Sequence, residues 1–181
     1  MIELNKIILG DNQFFGINHM SWEKAQALSE KFNDIQSIIN VIDIAYESGI
    51  RGFMLNSNNR SKEICNKISS IKKYDDLTIY PSIPYPHKYA NLVNEKGILP
   101  AISSMLFSNK NINNIFDKIL KGSSLVLKKD LESLMKLLID LEMENFKKVN
   151  YNSIFLQNIV TDLLLGLRLE SLFIDYYNYI K

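Results

Sequence analysis

The sequence predicts an α/β fold assembled from parallel strand and helix repeats, and three observations carry the prediction. Short β-branched or aromatic runs recur at 6–9, 51–55, 78–83 and 153–156. Each run closes in a polar stretch, and each polar stretch leads into apolar residues at helical spacing. Repetition of strand, polar loop and helix is the pattern of a parallel sheet with right-handed crossovers.

The elements follow in order. Residues 6–9 (KIIL) make a short buried-strand candidate closed by Gly10-Asp11-Asn12. Ser21 suits the N-cap of a helix through SWEKAQALSEKF. Asp34 suits the cap of the next, where Ile35, Ile38, Ile39, Ile42, Ala45 and Tyr46 recur at helical spacing. Gly49 is placed to stop that helix as a left-handed C-cap. Residues 51–55 (RGFML) read as the second strand, ending in Asn56-Ser57-Asn58-Asn59. Ser61 then opens a helix with Ile64, Ile68 and Ile71 on one face, and Cys65 reads as buried in it. Residues 78–83 (TIYPSI) form the third strand, in which Pro81 removes a ladder donor. It ends in Pro84-Tyr85-Pro86-His87-Lys88. A helical region follows, broken near Gly97 and Pro100, with an insertion over about 98–148 in which Asp130 caps a helix carrying Leu131, Leu134, Leu138 and Leu141. Residues 153–156 (SIFL) are the fourth strand and 162–180 the fourth helix.

Composition bounds the function. With 181 residues, 46% hydrophobic and 23% charged, the chain can bury about 70% of its unfolded surface, and one domain over 1–181 is expected. Lys and Arg total 21 against 20 for Asp and Glu, so no charge footprint favours nucleic acid or anionic lipid. A small-molecule ligand is the expected partner. The single cysteine, Cys65, excludes an internal disulfide and a cysteine-based zinc cluster and fits a reducing compartment. The opening MIELNKIILG lacks signal-peptide features, so a cytoplasmic location is expected. The apolar stretch at 154–174 is interrupted by Gln157, Asn158, Asp162, Arg168 and Glu170, which argues against a membrane span.

Two architectures use this pattern. A doubly wound sheet normally places a Gly-rich phosphate turn after its first strand, and GDNQFFG has neither G-x-G-x-x-G nor a P-loop lysine. A (β/α)8 TIM barrel instead gathers polar residues at the strand ends, as seen after all four runs. A full barrel takes about 250 residues, so four units predict a partial barrel, its N-terminal half.

Residues 38–68, IINVIDIAYESGIRGFMLNSNNRSKEICNKI, resemble the helix 1, strand 2, helix 2 segment of aldo-keto reductases. Met54 stands at that family's aspartate and Asn59 at its tyrosine, TIYPSIP offers no lysine, and Gln157 or Asn158 replaces its histidine. The resemblance supports a barrel and argues against nicotinamide-dependent carbonyl reduction. A longer likeness, through GDNQFFGINHM, GIRGFM, YPHKYAN, EKG and FLQNIVTDLLLGL, is to the N-terminal half of a group of uncharacterised bacterial proteins of the aldolase-type TIM-barrel class. It implies the fold and brings no established activity.

In a barrel the strand carboxyl ends converge, which predicts one cluster of Asp11, Asn12, His19, Asn56, Asn58, His87, Lys88, Gln157 and Asn158. Asp11, His19, His87 and Lys88 are the catalytic candidates. Asp11 is a base, a hydroxyl-orienting group or an Asx turn at the strand exit. His19 is a site group or a capping loop residue. His87 suits proton transfer, and Lys88 suits anion binding or, with a lowered pKa, a Schiff base. Asn12, Asn56, Asn58, Gln157 and Asn158 are the substrate-binding candidates. Asp11, His19 and His87 form a candidate set for a divalent metal, at a spacing that matches no local motif.

Three functions are compatible with these residues. The first is a barrel enzyme binding a small polar, carbohydrate-like metabolite, with lyase, aldolase or isomerase chemistry. The second is a truncated or split barrel without activity of its own, which forms a homodimer or needs its missing C-terminal half. The third is a complete open α/β binding module.

Overall fold

In a computed structural model of the chain, the described residues are 4–58, 60–85, 136, 139–166, 168 and 170–180. The first unit carries β1 (Ile8–Leu9), α1 (Trp22–Lys31), α2 (Ile35–Glu47), β2 (Gly52–Asn56), α3 (Ser61–Ser69) and β3 (Thr78–Ile83). It comprises Met1–Ile83 with Met143–Phe155, and a second unit comprises Pro84–Glu142 with Leu156–Lys181. The strand β4 (Phe155–Leu156) falls at their boundary. It completes a four-stranded parallel sheet in the order β1-β2-β3-β4.

The α/β class and the alternation of strands and helices are as expected. Strands taken in sequence order with right-handed crossovers put the intervening helices on one face of the sheet. Side-chain alternation divides the residues accordingly. Phe53 and Leu55 of β2 share a face with Ile79 and Ile83 of β3, and all four are within 1% of complete burial. The other face carries Gly52, Met54 and Asn56 beside Thr78, Tyr80 and Ser82. One face is therefore hydrocarbon, and the other becomes polar toward the strand carboxyl ends.

Tyr80 organises the amino end of that second face. Its hydroxyl donates to Asn5 Oδ1 at 2.7 Å and accepts from the Asn5 N–H at 3.2 Å. Its ring stacks on Phe155 with centroids 5.2 Å apart. A Cβ on Gly52 would stand 3.0 Å from Tyr80 Cε2 and from Asn5 Cβ. Glycine is what lets the tyrosine reach past β2 to the segment before β1.

The third strand runs Thr78–Ile83 as expected, with Leu55 opposite Pro81. Thr78 N donates to Arg51 O and Ile79 N to Asn150 O, both at 2.8 Å. Successive N–H groups alternate sides, so even-numbered residues address β2. The donor that Pro81 lacks falls on the opposite side, leaving the β2 ladder intact.

The helix signals held at most positions. Ser21 caps α1, its Oγ accepting from Lys24 N at 3.3 Å. Gly49 takes φ 88° after α2, and Ile38, Ile39 and Ile42 are buried along that helix. Asp34 occupies the N-cap of α2 without a side-chain cap bond. Cys65 is 1% exposed in α3.

In the second unit, residues 139–142 are helical, and the buried Glu142 accepts from Tyr85 N at 3.2 Å. The helix expected over 162–180 is two helices, α4 (Asn158–Gly166) and α5 (Glu170–Ile180). The break falls at Arg168, whose φ of 56° is left-handed. The expected insertion up to residue 135 lies outside the described residues. Among the described residues no helix is long and apolar enough to cross a membrane.

Candidate functional site

The stretch after β1 has a separate task for almost every residue. Phe14, in the 3-10 turn Asn12–Phe15, is 1% exposed and meets Phe32 and Phe53 edge-on at 5.1 and 6.0 Å. Gln13 Nε2 donates to Gly10 O at 2.8 Å. Asn18 Oδ1 accepts from Met20 N and Ser21 N, an Asx turn that leads into α1. Gly16, at φ 65°, lies where a Cβ would be 2.8 Å from Ala25 O, so the turn packs backbone to backbone on α1.

Asp11 points the other way, toward β2. It is completely buried. Its Oδ2 accepts from the Asn56 backbone N–H at 2.6 Å, and its Oδ1 from Asn56 Nδ2 at 2.7 Å. The carboxyl therefore grips the last residue of β2 by backbone and side chain, joining two strand ends 45 residues apart in the chain. Burial away from water raises its pKa from 3.8 to about 6, against the opposing pull of the two Asn56 hydrogen bonds.

The β2–α3 turn continues this cluster. Asn58 N donates to Asn56 O at 2.9 Å, Ser61 N donates to Asn58 O at 3.2 Å, and the Ser61 hydroxyl donates to Asn56 O. Ser57 N donates to Ser82 O at 3.4 Å, bringing in the end of β3. Asp11, Asn56, Ser57, Asn58, Ser61 and Ser82 are all buried, so a polar group closes the carboxyl ends of three parallel strands. Asn58 Oδ1 accepts from Arg60 N at 2.8 Å, whereas Asn58 Nδ2 is buried and has no hydrogen-bond partner among the described residues. An unsatisfied buried donor costs about 1–3 kcal/mol. Native proteins contain few of them.

Arg60 sits beside the cluster with its guanidinium committed elsewhere. Nη1 donates to Phe32 O at 2.6 Å, another nitrogen to Asn33 O at 2.9 Å, and Nε lies 3.8 Å from Glu63. It anchors the turn between α1 and α2.

The expected residues divide as follows. Asp11, Asn56 and Asn58 come together. Asn12 is exposed at the start of the 3-10 turn, and His19 is exposed in the loop before α1. His87 and Lys88 lie outside the described residues. Gln157 is half-buried after β4, and Asn158 is exposed as the first residue of α4; both belong to the second unit. For the metal set, Asp11 has each oxygen engaged by Asn56, and no group of three potential ligands assembles among the described residues.

No protein-family model, curated protein or solved structure matches the chain. The site is therefore read from its own chemistry. Ser57 and Ser82 join it without having been expected. Ser82 had a legible signal, two residues after Tyr80 and so on the same strand face at its carboxyl end. Ser61 was expected only as the start of a helix, and it is the first residue of α3.

Proposed function

We propose that the chain recognises a small polar metabolite at the carboxyl ends of β1, β2 and β3, on the inner face of a TIM-barrel-type sheet. The observation that carries this reading is the buried Asp11 and Asn56 pair. A desolvated carboxyl is expensive to keep in a fold, and this one sits where parallel α/β proteins bind ligands. The sequential strand order, without the reversal of a doubly wound sheet, supports the barrel geometry. The apolar helix-side face and the polar opposite face support it as well.

In this reading Asp11 is a positioning residue, because both its oxygens are engaged by Asn56. It holds the Asn56 amide and the turn to Asn58 in place for the ligand. Chemistry of the lyase, aldolase or isomerase class rests on His87 and Lys88, whose residue types suit proton transfer and carbonyl activation.

The test is saturation-transfer NMR of the chain with a panel of aldoses, ketoses, hydroxy acids and their phosphates. The reading expects at least one class to bind and Asp11→Asn, still folded by circular dichroism, to lose that binding. Binding by no class, or binding that survives in Asp11→Asn, overturns it.

A second reading has its own observation. Among the described strands β1 pairs with β2 alone, and Leu4 and Ile7 before it are 49% and 66% exposed. An uncovered parallel edge is a template for another chain, so this reading makes the chain a self-associating partial barrel. Light scattering after size exclusion separates the two: the second reading requires a concentration-dependent dimer, and a monomer at all concentrations refutes it.

A further inference from the structure

We propose that the ligand of the strand-end site is an uncharged, hydroxyl-rich molecule, as opposed to a phosphorylated or carboxylated one, and that the Asn58 side-chain amide donates a hydrogen bond to it. This inference rests on the reading above and adds the ligand's charge class and one of its contacts.

The Arg60 backbone fixes the orientation of the Asn58 amide. Arg60 N is a donor 2.8 Å from Asn58 Oδ1, so turning the amide over would set donor against donor. The nitrogen is thereby fixed on the other side, where no acceptor among the described residues meets it. Asn58 is only 7% exposed, so bulk water does not supply that acceptor. The backbone around it is tied on both sides, through Asn58 N to Asn56 O and Ser61 N to Asn58 O. The unmet donor is thus held beside Asn56, the residue that Asp11 grips.

Charge then selects the acceptor. Among the described residues of this cluster, the ionisable group is the Asp11 carboxyl, which repels an anion. The neighbouring cation, Arg60, directs its guanidinium to Phe32 O, Asn33 O and Glu63. A phosphate or carboxylate brought to Asn58 Nδ2 would meet a buried carboxyl without a cation from these residues to offset it. A hydroxyl oxygen accepts the same hydrogen bond without that repulsion.

The experiment uses matched pairs on the full chain: glycerol against glycerol 3-phosphate, and D-glucose against D-glucose 6-phosphate, by saturation-transfer NMR and calorimetry. The neutral member of a pair is expected to bind at least about tenfold more tightly, a difference of about 1.4 kcal/mol. Asn58→Asp, which keeps the acceptor for Arg60 N and removes the donor, is expected to weaken that binding by a similar factor. Tighter binding of the phosphorylated member, lost in Asp11→Asn, overturns this inference and leaves the site reading standing. Neutral binding unchanged in Asn58→Asp also overturns it. Binding of neither member, or binding indifferent to Asp11→Asn, overturns both. The comparison of pairs on the unmodified chain decides the charge class even where Asn58→Asp fails to fold.

Discussion

Replacing Asp11 by Asn removes one titrating group and leaves its volume, so it isolates what burial of that carboxyl does to the fold. In the folded chain the group ionises near pH 6, against 3.8 in its ordinary setting. The folded state therefore binds the proton more tightly than the unfolded state. The stability this contributes is fully present below pH 3.8 and is lost as the pH rises through 6. At about 1.4 kcal/mol for each tenfold difference in proton affinity, the loss across that window is about 3 kcal/mol. Asparagine does not titrate, so the stability of the natural chain relative to Asp11→Asn should fall by this amount between about pH 4 and 6.5. The variant has its own pH-independent penalty, because an amide cannot accept at both positions where Asn56 donates. Urea unfolding followed by far-UV circular dichroism at stepped pH measures both effects. Trp22 fluorescence is the poorer probe, since that ring is 75% exposed in the folded chain. Parallel stability curves for the two proteins would refute the reasoning and mean that Asp11 titrates as an ordinary carboxylate.

Three further outcomes follow from the packing. Gly52→Ala should lower stability by about 1–3 kcal/mol, because its Cβ would press on Tyr80 and Asn5; an unchanged thermal midpoint contradicts that contact. The Cys65 thiol, pushed up to about 12 by burial, should react with a water-soluble disulfide reagent at pH 8 only as fast as the fold opens, and rapid stoichiometric reaction in the native state contradicts its burial. Arg60→Met should speed amide hydrogen exchange near the α1–α2 turn that its guanidinium holds, with unchanged exchange there as the contrary result.

How much of this was legible before the structure depends on whether the controlling interaction is local. The Ser21 cap, the Gly49 stop, the buried stripe of α2 and the alternation of elements are all set within a few residues of chain, and the sequence displays them. Asp11 was legible as a strand-exit group, and its grip on Asn56 was not, since that bond depends on β1 lying beside β2 in a particular register. Where the donor missing at Pro81 falls was not legible for a similar reason: the side of the strand it faces is decided by neighbouring strands. The break at Arg168 had only Gly166 to announce it. His19, one of two histidines in the chain, drew attention by residue type, and its exposed position before α1 reflects the Asx turn of Asn18 that precedes it.

An economy of buried polar groups links fold and function here. An uncharged side chain at position 11 would avoid the ionisation penalty near neutral pH, but an amide there could not accept both hydrogen bonds from Asn56. Retaining the carboxyl makes sense if the Asn56–Asn58 turn must be held in one conformation, with the Asn58 donor kept in reserve for an incoming acceptor. That is the claim on which the account stands.

Its most direct test is the side-chain amide spectrum of the chain, in which each asparagine NH2 gives its own pair of proton and nitrogen resonances. Titration with glycerol or D-glucose should shift the Asn58 pair saturably, with smaller shifts at Asn56. An Asn58 pair that stays in place while either compound binds elsewhere, or that moves only with their phosphates, would contradict the account.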